Sequence, residues 1–396
     1  MSPAPPARRS TPAGYPLTRR PPARRPLYYL MGTAGHPNYG DELIASVWLR
    51  HLARVAPDAD VWLDCPVPGS AAVLLDGLHP RAHFTDTAWR LCAEAPPGGP
   101  WEKAAWVQSA LENPGLACRW VNGIELLASA DVVHVIGGGY VNGIWPHHIG
   151  LLGAAAAATR RSAGRAVLTG QGFTPVEEAE ASLLRALVDR FDVVDVRDAA
   201  SAEALRMPQA QGVDDAFLGA DAFPHVEHTA DLPRYMLCLQ SDMTEHDVGD
   251  LAAFTLATLR EWNADPADVG VVEGIPGQDR AVFGLIEHAL PGARFFPFSE
   301  VWRSGMPVAP HQTWLSTRFH VHLVAAAAGA SGVAVSLKPD YYTTKHGSLV
   351  ELGSRWQLVD DLTDVPKPPD AGGFDPEALA GHTRRKAAVA ARIYPG

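Results

Sequence analysis

Arg318, His320 and His322 stand in TWLSTRFHVHLV (313–324), one arginine and two histidines inside an apolar run. Arginine grips a carboxylate or phosphate with two parallel hydrogen bonds, and histidine exchanges protons near neutral pH. On a strand, an H-x-H pair would share a face and could chelate a metal. On a helix, two residues turn through about 200° and the side chains diverge. TWLS reads as a short strand, with a helix from near Phe319. The helical reading therefore gives no metal site and leaves His322 packed or at the surface. Arg318 and His320 fall beside the free N–H groups of the helix start, where an anion binds well.

Comparable residues recur elsewhere. GTAGHPNYGDE (32–42) is a Gly-rich turn between a strand and a helix. Asn38 and Asp41 there either meet hydroxyl groups of a ligand, or serve the helix itself, Asp41 as cap and Asn38 in the turn. GGGYVNG (137–143) lacks the spacing of a dinucleotide signature, and no acidic residue closes the next strand as NAD binding requires. Gly138 and Gly139 instead let backbone approach a ligand closely. VRDAAS (196–201) puts Arg197 at a strand end with Asp198 as the cap of the next helix. Asp214 and Asp215, in GVDDAF (212–217), suit a metal or acid/base work, or else a solvated loop. KPDYYTTKHGSL (338–349) reads as a loop after the strand GVAVSL, with Lys338 and Lys345 at that strand's carboxyl end. Arg197, Arg318 and Lys345 together would clamp an anion.

Strands and helices must carry these residues to one place. LYYLMGT (27–33), DVWLDCPV (60–67), ADVVHVIGGG (130–139), RAVLTGQGF (165–173) and DVVDVRD (192–198) are continuous apolar runs separated by helical patterns. YMLCLQS (235–241), DVGVVEG (268–274), ARFFPF (293–298) and GVAVSL (332–337) repeat the scheme. Runs of this kind mean parallel sheets covered on both faces. The fold class is α/β, two doubly wound Rossmann-like domains facing a cleft. Every motif above falls at a strand's carboxyl end, where such sheets bind ligands. The expected division is a disordered Pro/Arg-rich tail at 1–25, a first domain at 26–225, and a second at 226–396 that includes a C-terminal helix. The stretch 68–125 yields no clear pattern.

Bulk composition narrows the classes. The 396 residues are 47% hydrophobic and 19% charged, enough for a large core. A net charge of −11 argues against nucleic acid as partner. The longest apolar runs are rich in Ala and Gly and are not read as membrane spans, so no stable membrane insertion is expected. Four scattered cysteines form no CxxC pair and read as thiols in a reducing compartment. No secretory leader is visible, and the expected location is the cytoplasm.

The ordered set NYGDE (38–42), ADVVHVIGGG (130–139), GQGFTP (170–175), VRDAAS (196–201), GVDDAF (212–217) and TRFHVHLVAAAAG (317–329), followed by Lys345, resembles the polysaccharide pyruvyl transferase family. The resemblance implies a two-domain fold of the glycosyltransferase-B type, with the acceptor on the first domain and the donor on the second. It implies transfer of the pyruvyl group of phosphoenolpyruvate onto two hydroxyls of a sugar, giving a cyclic ketal and phosphate, with no cofactor. Arg197, Arg318 and His320 match family positions associated with phosphoenolpyruvate binding and catalysis. His320 would be the acid/base, Arg197, Arg318 and Lys345 the anion holders, and Asn38 or Asp41 the group that positions the sugar. Two other classes fit the same architecture: a nucleotide-sugar glycosyltransferase, with Glu351 on the ribose, and a non-catalytic sugar- or anion-binding protein.

Overall fold

The computed structural model describes residues 24–223, 225–226 and 229–395. The expected disorder of the tail lies, for residues 1–23, outside the described residues. Arg24 is ordered and donates to the Ser129 carbonyl (3.1 Å) and to Asp131 (2.7 Å).

Two six-stranded sheets are built from the apolar runs, and every pairing in them is parallel. The first has the order β3-β2-β1-β4-β5-β6, with β1 Leu27–Met31, β2 Asp60–Asp64, β3 Ala82–Thr85, β4 Val132–Val135, β5 Arg165–Gln171 and β6 Val193–Val196. The second has the order β12-β11-β10-β7-β8-β9. Its strands are β7 Tyr235–Cys238, β8 Val269–Val272, β9 Arg294–Phe296, β10 Thr313–Ser316, β11 Ser331–Val335 and β12 Gln357–Val359. Counted within each half, the two orders are the same, so the chain repeats one topology. The central strands β4, β7, β8 and β10 are buried at every residue, as sheets with both faces covered require. The strand order reverses between β1 and β4 and between β7 and β10, which makes those carboxyl ends the ligand crevices.

The stretch 68–125 is a helical excursion around edge strand β3. Helices Thr87–Glu94, Pro100–Glu112 and Val121–Leu127 are short and interrupted by Gly and Pro. The first two pack on helix Gly150–Ser162, where a Cβ on Gly150 would lie 2.9 Å from Cys92 Sγ. Residues 338–349 are not a loop. Helix Pro339–Glu351 runs through them. Its aromatic and β-branched YYTT start disfavours helix locally, and burial of Tyr341, Tyr342, His346 and Leu349 outweighs that preference.

The last helix, Pro376–Ile393, leaves the second sheet and packs on the first domain. Lys386, fully buried, is held between Asp195 and Asp215, the latter at 2.9 Å. Tyr394 hydroxyl meets His134 at 3.0 Å. No helix among the described residues is long and apolar enough to cross a membrane.

Candidate active site

Turns after β1, β4, β6, β7, β8 and β10 converge with helix Pro339–Glu351 on one cleft between the sheets. It encloses a cavity of about 420 Å³, within the range of roughly 300–1,000 Å³ usual for ligand sites. Arg197, Arg318, His320, Lys345, Asn38, Asp41 and Gly139 all line it. Gly138 is adjacent but not in the lining. Its positive φ of 146° turns the chain so that Gly139 faces the cavity.

Arg197 follows β6 and is 3% exposed. Its guanidinium reaches Asp214 at 3.4 Å and Asp198 at 3.6 Å, and lies 4.7 Å from the centre of the Phe319 ring. Its buried Nε has no hydrogen-bond partner among the described residues. Lys345 Nζ sits 3.3 Å from the centre of the Tyr341 ring, a cation held against a π face. The two cations flank the same point: a Cβ on Gly139 would be 2.8 Å from Lys345 Nζ and 3.0 Å from Arg197. Burial, and then the neighbouring Arg197, push the Lys345 ammonium well below its usual range, against the pull of Asp41, Asp198 and Asp214. A buried cation pair of this kind favours an anionic guest.

Arg318 occupies the position before helix Phe319–Ala327, and His320 lies in the first turn. The guanidinium is not free: Asp279 accepts from its Nε (3.0 Å) and Nη2 (2.6 Å), and Asp242 from Nη2 (2.6 Å). Its Nη1 keeps no hydrogen-bond partner among the described residues. Burial works against the charge, and Asp279 and Asp242 outweigh it and hold Arg318 firmly protonated. Asp279 is fully buried and also accepts from Gly274 N (2.7 Å) and Ile275 N (2.9 Å), so it locks the Arg318 side chain to the β8 turn.

His320 Nε2 is 3.3 Å from Asp214. Burial pushes the Asp214 carboxyl up, but His320 and Arg197 prevail and hold it below the usual carboxylate range. The other ring nitrogen, Nδ1, lies over Gly40, where a Cβ would come within 2.0 Å of it. Only glycine fits at this junction of NYGDE with the second domain. The same turn is tied across the cleft by a backbone hydrogen bond from Tyr39 N to Gly274 O (2.9 Å).

Asn38 is the cap of helix Tyr39–Val55, accepting from Gly40 N at 3.2 Å, and Asp41 lies in the first turn. The cap is thus Asn38 and not Asp41. Asn38 Nδ2 also donates to Asp41 at 2.8 Å. Burial raises the Asp41 carboxyl, opposed by His320, Thr33, Lys345 and Arg197. Asp198 does cap the helix after β6, accepting from Ser201 N at 2.7 Å.

Asp214 and Asp215 are not on a solvated loop; they are 1% and 0% exposed. Asp214 joins Arg197 to His320. Asp215 faces the core, bound by Trp48 (2.7 Å), Gly137 N (2.7 Å), Thr169 (2.6 Å) and Lys386 (2.9 Å). His322 diverges from His320 as helical spacing demands. It is fully buried, bonded to Ser354 (2.9 Å) and stacked on Trp356. Among the described residues no group of three His, Cys, Asp or Glu could hold a metal ion.

Sequence reasoning passed over Tyr341, Asp242, Asp279 and Trp145. Tyr341 precedes Lys345 by four residues, a signal visible only once that segment is taken as helix. Its hydroxyl donates to Gly139 O at 2.9 Å, binding the two domains beside the cations.

Two doubly wound domains, each contributing side chains to one polar cleft, define the glycosyltransferase-B type of architecture. Residues 38–231 match the family model for polysaccharide pyruvyl transferase, and this part of the chain is similar to that family. The match covers Asn38, Asp41, Arg197 and Asp214; Arg318, His320 and Lys345 lie beyond it. No curated protein matches the sequence.

Solved structures similar in fold include UDP-GlcNAc 2-epimerase from Neisseria meningitidis bound to UDP-GlcNAc. Its TM-score is 0.52 at 10% identity, over 93% of this chain and 100% of that one. A further UDP-N-acetylglucosamine 2-epimerase gives 0.50 at 12%, over 94% and 88%. Anabaena HepE in complex with UDP-glucose gives 0.46 at 15%, over 93% and 95%. At these identities the likeness is one of fold.

Proposed function

We propose that this enzyme transfers the pyruvyl group of phosphoenolpyruvate to two hydroxyls of a saccharide, forming a cyclic ketal and releasing phosphate. The observation that carries the reading is the buried pair Arg197 and Lys345 around Gly139, two basic side chains that flank one point of the cleft. A donor with both a phosphate and a carboxylate suits it, and Arg318 Nη1 supplies a further N–H at the other wall.

His320 is the proton carrier in this scheme. With Nε2–H donated to Asp214, Nδ1 is the nitrogen that gives or takes a proton. Protonation of the donor's CH2 carbon makes it a methyl group and leaves the adjacent carbon electron-poor. One sugar hydroxyl adds there, and its proton passes to a base. The C–O bond to phosphate breaks, phosphate departs with the electron pair, and the second hydroxyl closes the ketal as it loses its proton. Over the cycle two hydroxyl protons are lost, one replacing that given to the methyl group and one leaving with phosphate. Asp41 and Asn38 orient the hydroxyls. No cofactor is needed, and a cytoplasmic location suits the donor.

Calorimetry with phosphoenolpyruvate tests the donor assignment. Arg197→Ala should weaken binding by about 1.5–3 kcal/mol, the worth of a hydrogen bond to a charged group. UDP, the nucleotide of the UDP-GlcNAc bound in a structure of similar fold, is the control. Tight UDP binding that Arg197→Ala leaves unchanged, with no phosphoenolpyruvate binding, would favour a nucleotide-sugar transferase.

A further inference from the structure

Trp145 has no part in the chemistry above, yet its setting is specific. It lines the cleft and is partly exposed. Trp48, Trp89, Trp314 and Trp356 all donate their indole N–H to a buried partner, at 2.7, 3.2, 3.1 and 2.9 Å. The Trp145 N–H has no hydrogen-bond partner among the described residues. A tryptophan presented with its polar edge unmatched is suited to a ligand that is apolar on one side and hydroxylated on the other.

The segment that carries it is held by hydrogen bonds on both sides. Asn142 accepts from Ile144 N (2.9 Å) and Trp145 N (3.3 Å) and donates to Gly139 O (2.9 Å). Gly143 N donates to Pro175 O at 2.8 Å. His148 Nδ1 donates to Tyr140 O (2.8 Å), and its ring lies 6.3 Å from Trp145 at an interplanar angle of 20°. Burial lowers the His148 imidazole to about 4, so the backing is uncharged. On the other side Tyr341 approaches edge-on at 6.2 Å, and Tyr341 is the ring that holds Lys345. One aromatic residue therefore separates Trp145 from the anion subsite.

We infer that Trp145 is the platform for a pyranose ring of the acceptor saccharide, packing its C–H face and donating the indole N–H to a sugar oxygen. The inference rests on the pyruvyl-transfer reading. It places the acceptor on the first domain, with the ring that receives the ketal held between Trp145 and the Asp41–His320 edge of the cleft. Specificity then follows from shape: pyranosides with an uninterrupted C–H face bind, and those with an axial substituent on that face do not.

Saturation-transfer NMR on the full chain, with a panel of methyl pyranosides and uridine diphosphate, tests it without requiring turnover. Wild type should saturate the C–H protons of one sugar face. Trp145→Ala should abolish that signal and raise the acceptor KM by about tenfold or more, with phosphoenolpyruvate affinity unchanged. Trp145→Phe should keep part of the signal, because the ring remains and the N–H is lost. Equal thermal midpoints and equal donor binding exclude misfolding. Sugar saturation that persists in Trp145→Ala overturns the platform, and so does saturation of the uracil ring in place of a sugar. Phosphate release is read separately. Acceptor-dependent release with an unchanged acceptor KM in Trp145→Ala refutes the platform alone. Trp145-dependent sugar binding without release refutes pyruvyl transfer alone.

Discussion

Arg318 and Arg197 show how differently two arginines at strand ends are treated. Arg197 is surrounded by two long carboxylate contacts, an aromatic face and an Nε without a hydrogen-bond partner among the described residues. Arg318 is already committed to Asp279 and Asp242. Those two carboxylates are not equivalent: Asp279 is fully buried, while the Asp242 side chain is 30% exposed on the loop after β7. Asp242→Asn removes a negative charge facing the donor's anions and should tighten phosphoenolpyruvate binding by up to about tenfold, ~1.4 kcal/mol. Asp279→Ala should instead destabilise the fold by about 3–5 kcal/mol, since it removes the fully buried partner of Arg318 and the acceptor of Gly274 N and Ile275 N. Calorimetry and chemical denaturation of the two variants separate these roles.

Lys345 supports a second expectation at the same scale. Its ammonium lies well below its usual range while the site is empty, chiefly through burial and Arg197. A bound anion restores it, so donor binding should take up protons and weaken as pH rises. Titrations in buffers of different ionisation enthalpy at pH 8, where a phosphate with second pKa about 6 is already ionised, measure the uptake. No uptake would mean that the anion sits elsewhere. The cations themselves were readable from sequence as residue types at strand ends. Their partners were not, because Asp279 and Asp242 sit 39 and 76 residues from Arg318 along the chain.

Among elements, the turn from β1 into helix Tyr39–Val55 carries most of the first domain's contribution. Glu42 holds it from beneath, accepting from Gly35 N at 2.7 Å, with Oε2 unpartnered. Burial raises this carboxyl from 4.5 to about 8. Between those values the folded chain keeps the proton and the unfolded chain has lost it, so stability falls as pH rises through the window. Glu42→Gln keeps the shape and removes the titration. Its thermal midpoint should therefore exceed wild type more at pH 8 than at pH 5, with Asp64, raised to about 7, still contributing in both proteins. An equal gain at both pH values would contradict the buried-acid account.

The start of that helix was legible from NYGDE, and the start of helix Phe319–Ala327 from the break after TWLS. Helix Pro339–Glu351 was not, because YYTT speaks against helix and only tertiary burial overrides it. Edge strand β12 has three residues, too few for a period to show.

Across the molecule, function depends on two copies of one topology brought face to face. The repeat was visible as alternating apolar runs and helical patterns. The packing of the halves was not, since it rests on contacts such as Gly40 with His320 and Tyr39 N with Gly274 O, far apart in sequence. The return of helix Pro376–Ile393 to the first domain was equally hidden. Its buried Lys386 looks like any surface lysine until Asp195 and Asp215 are seen around it.

The most direct measurement is phosphate release from phosphoenolpyruvate by purified wild type and His320→Ala, across a panel of saccharide acceptors, with NMR of the sugar product. The account predicts release only when a suitable acceptor is present, a ketal methyl signal in the product, and a loss of about 10²–10⁴-fold in kcat for His320→Ala with donor affinity retained. Release that is independent of acceptor, or a His320→Ala enzyme as fast as wild type, would contradict it.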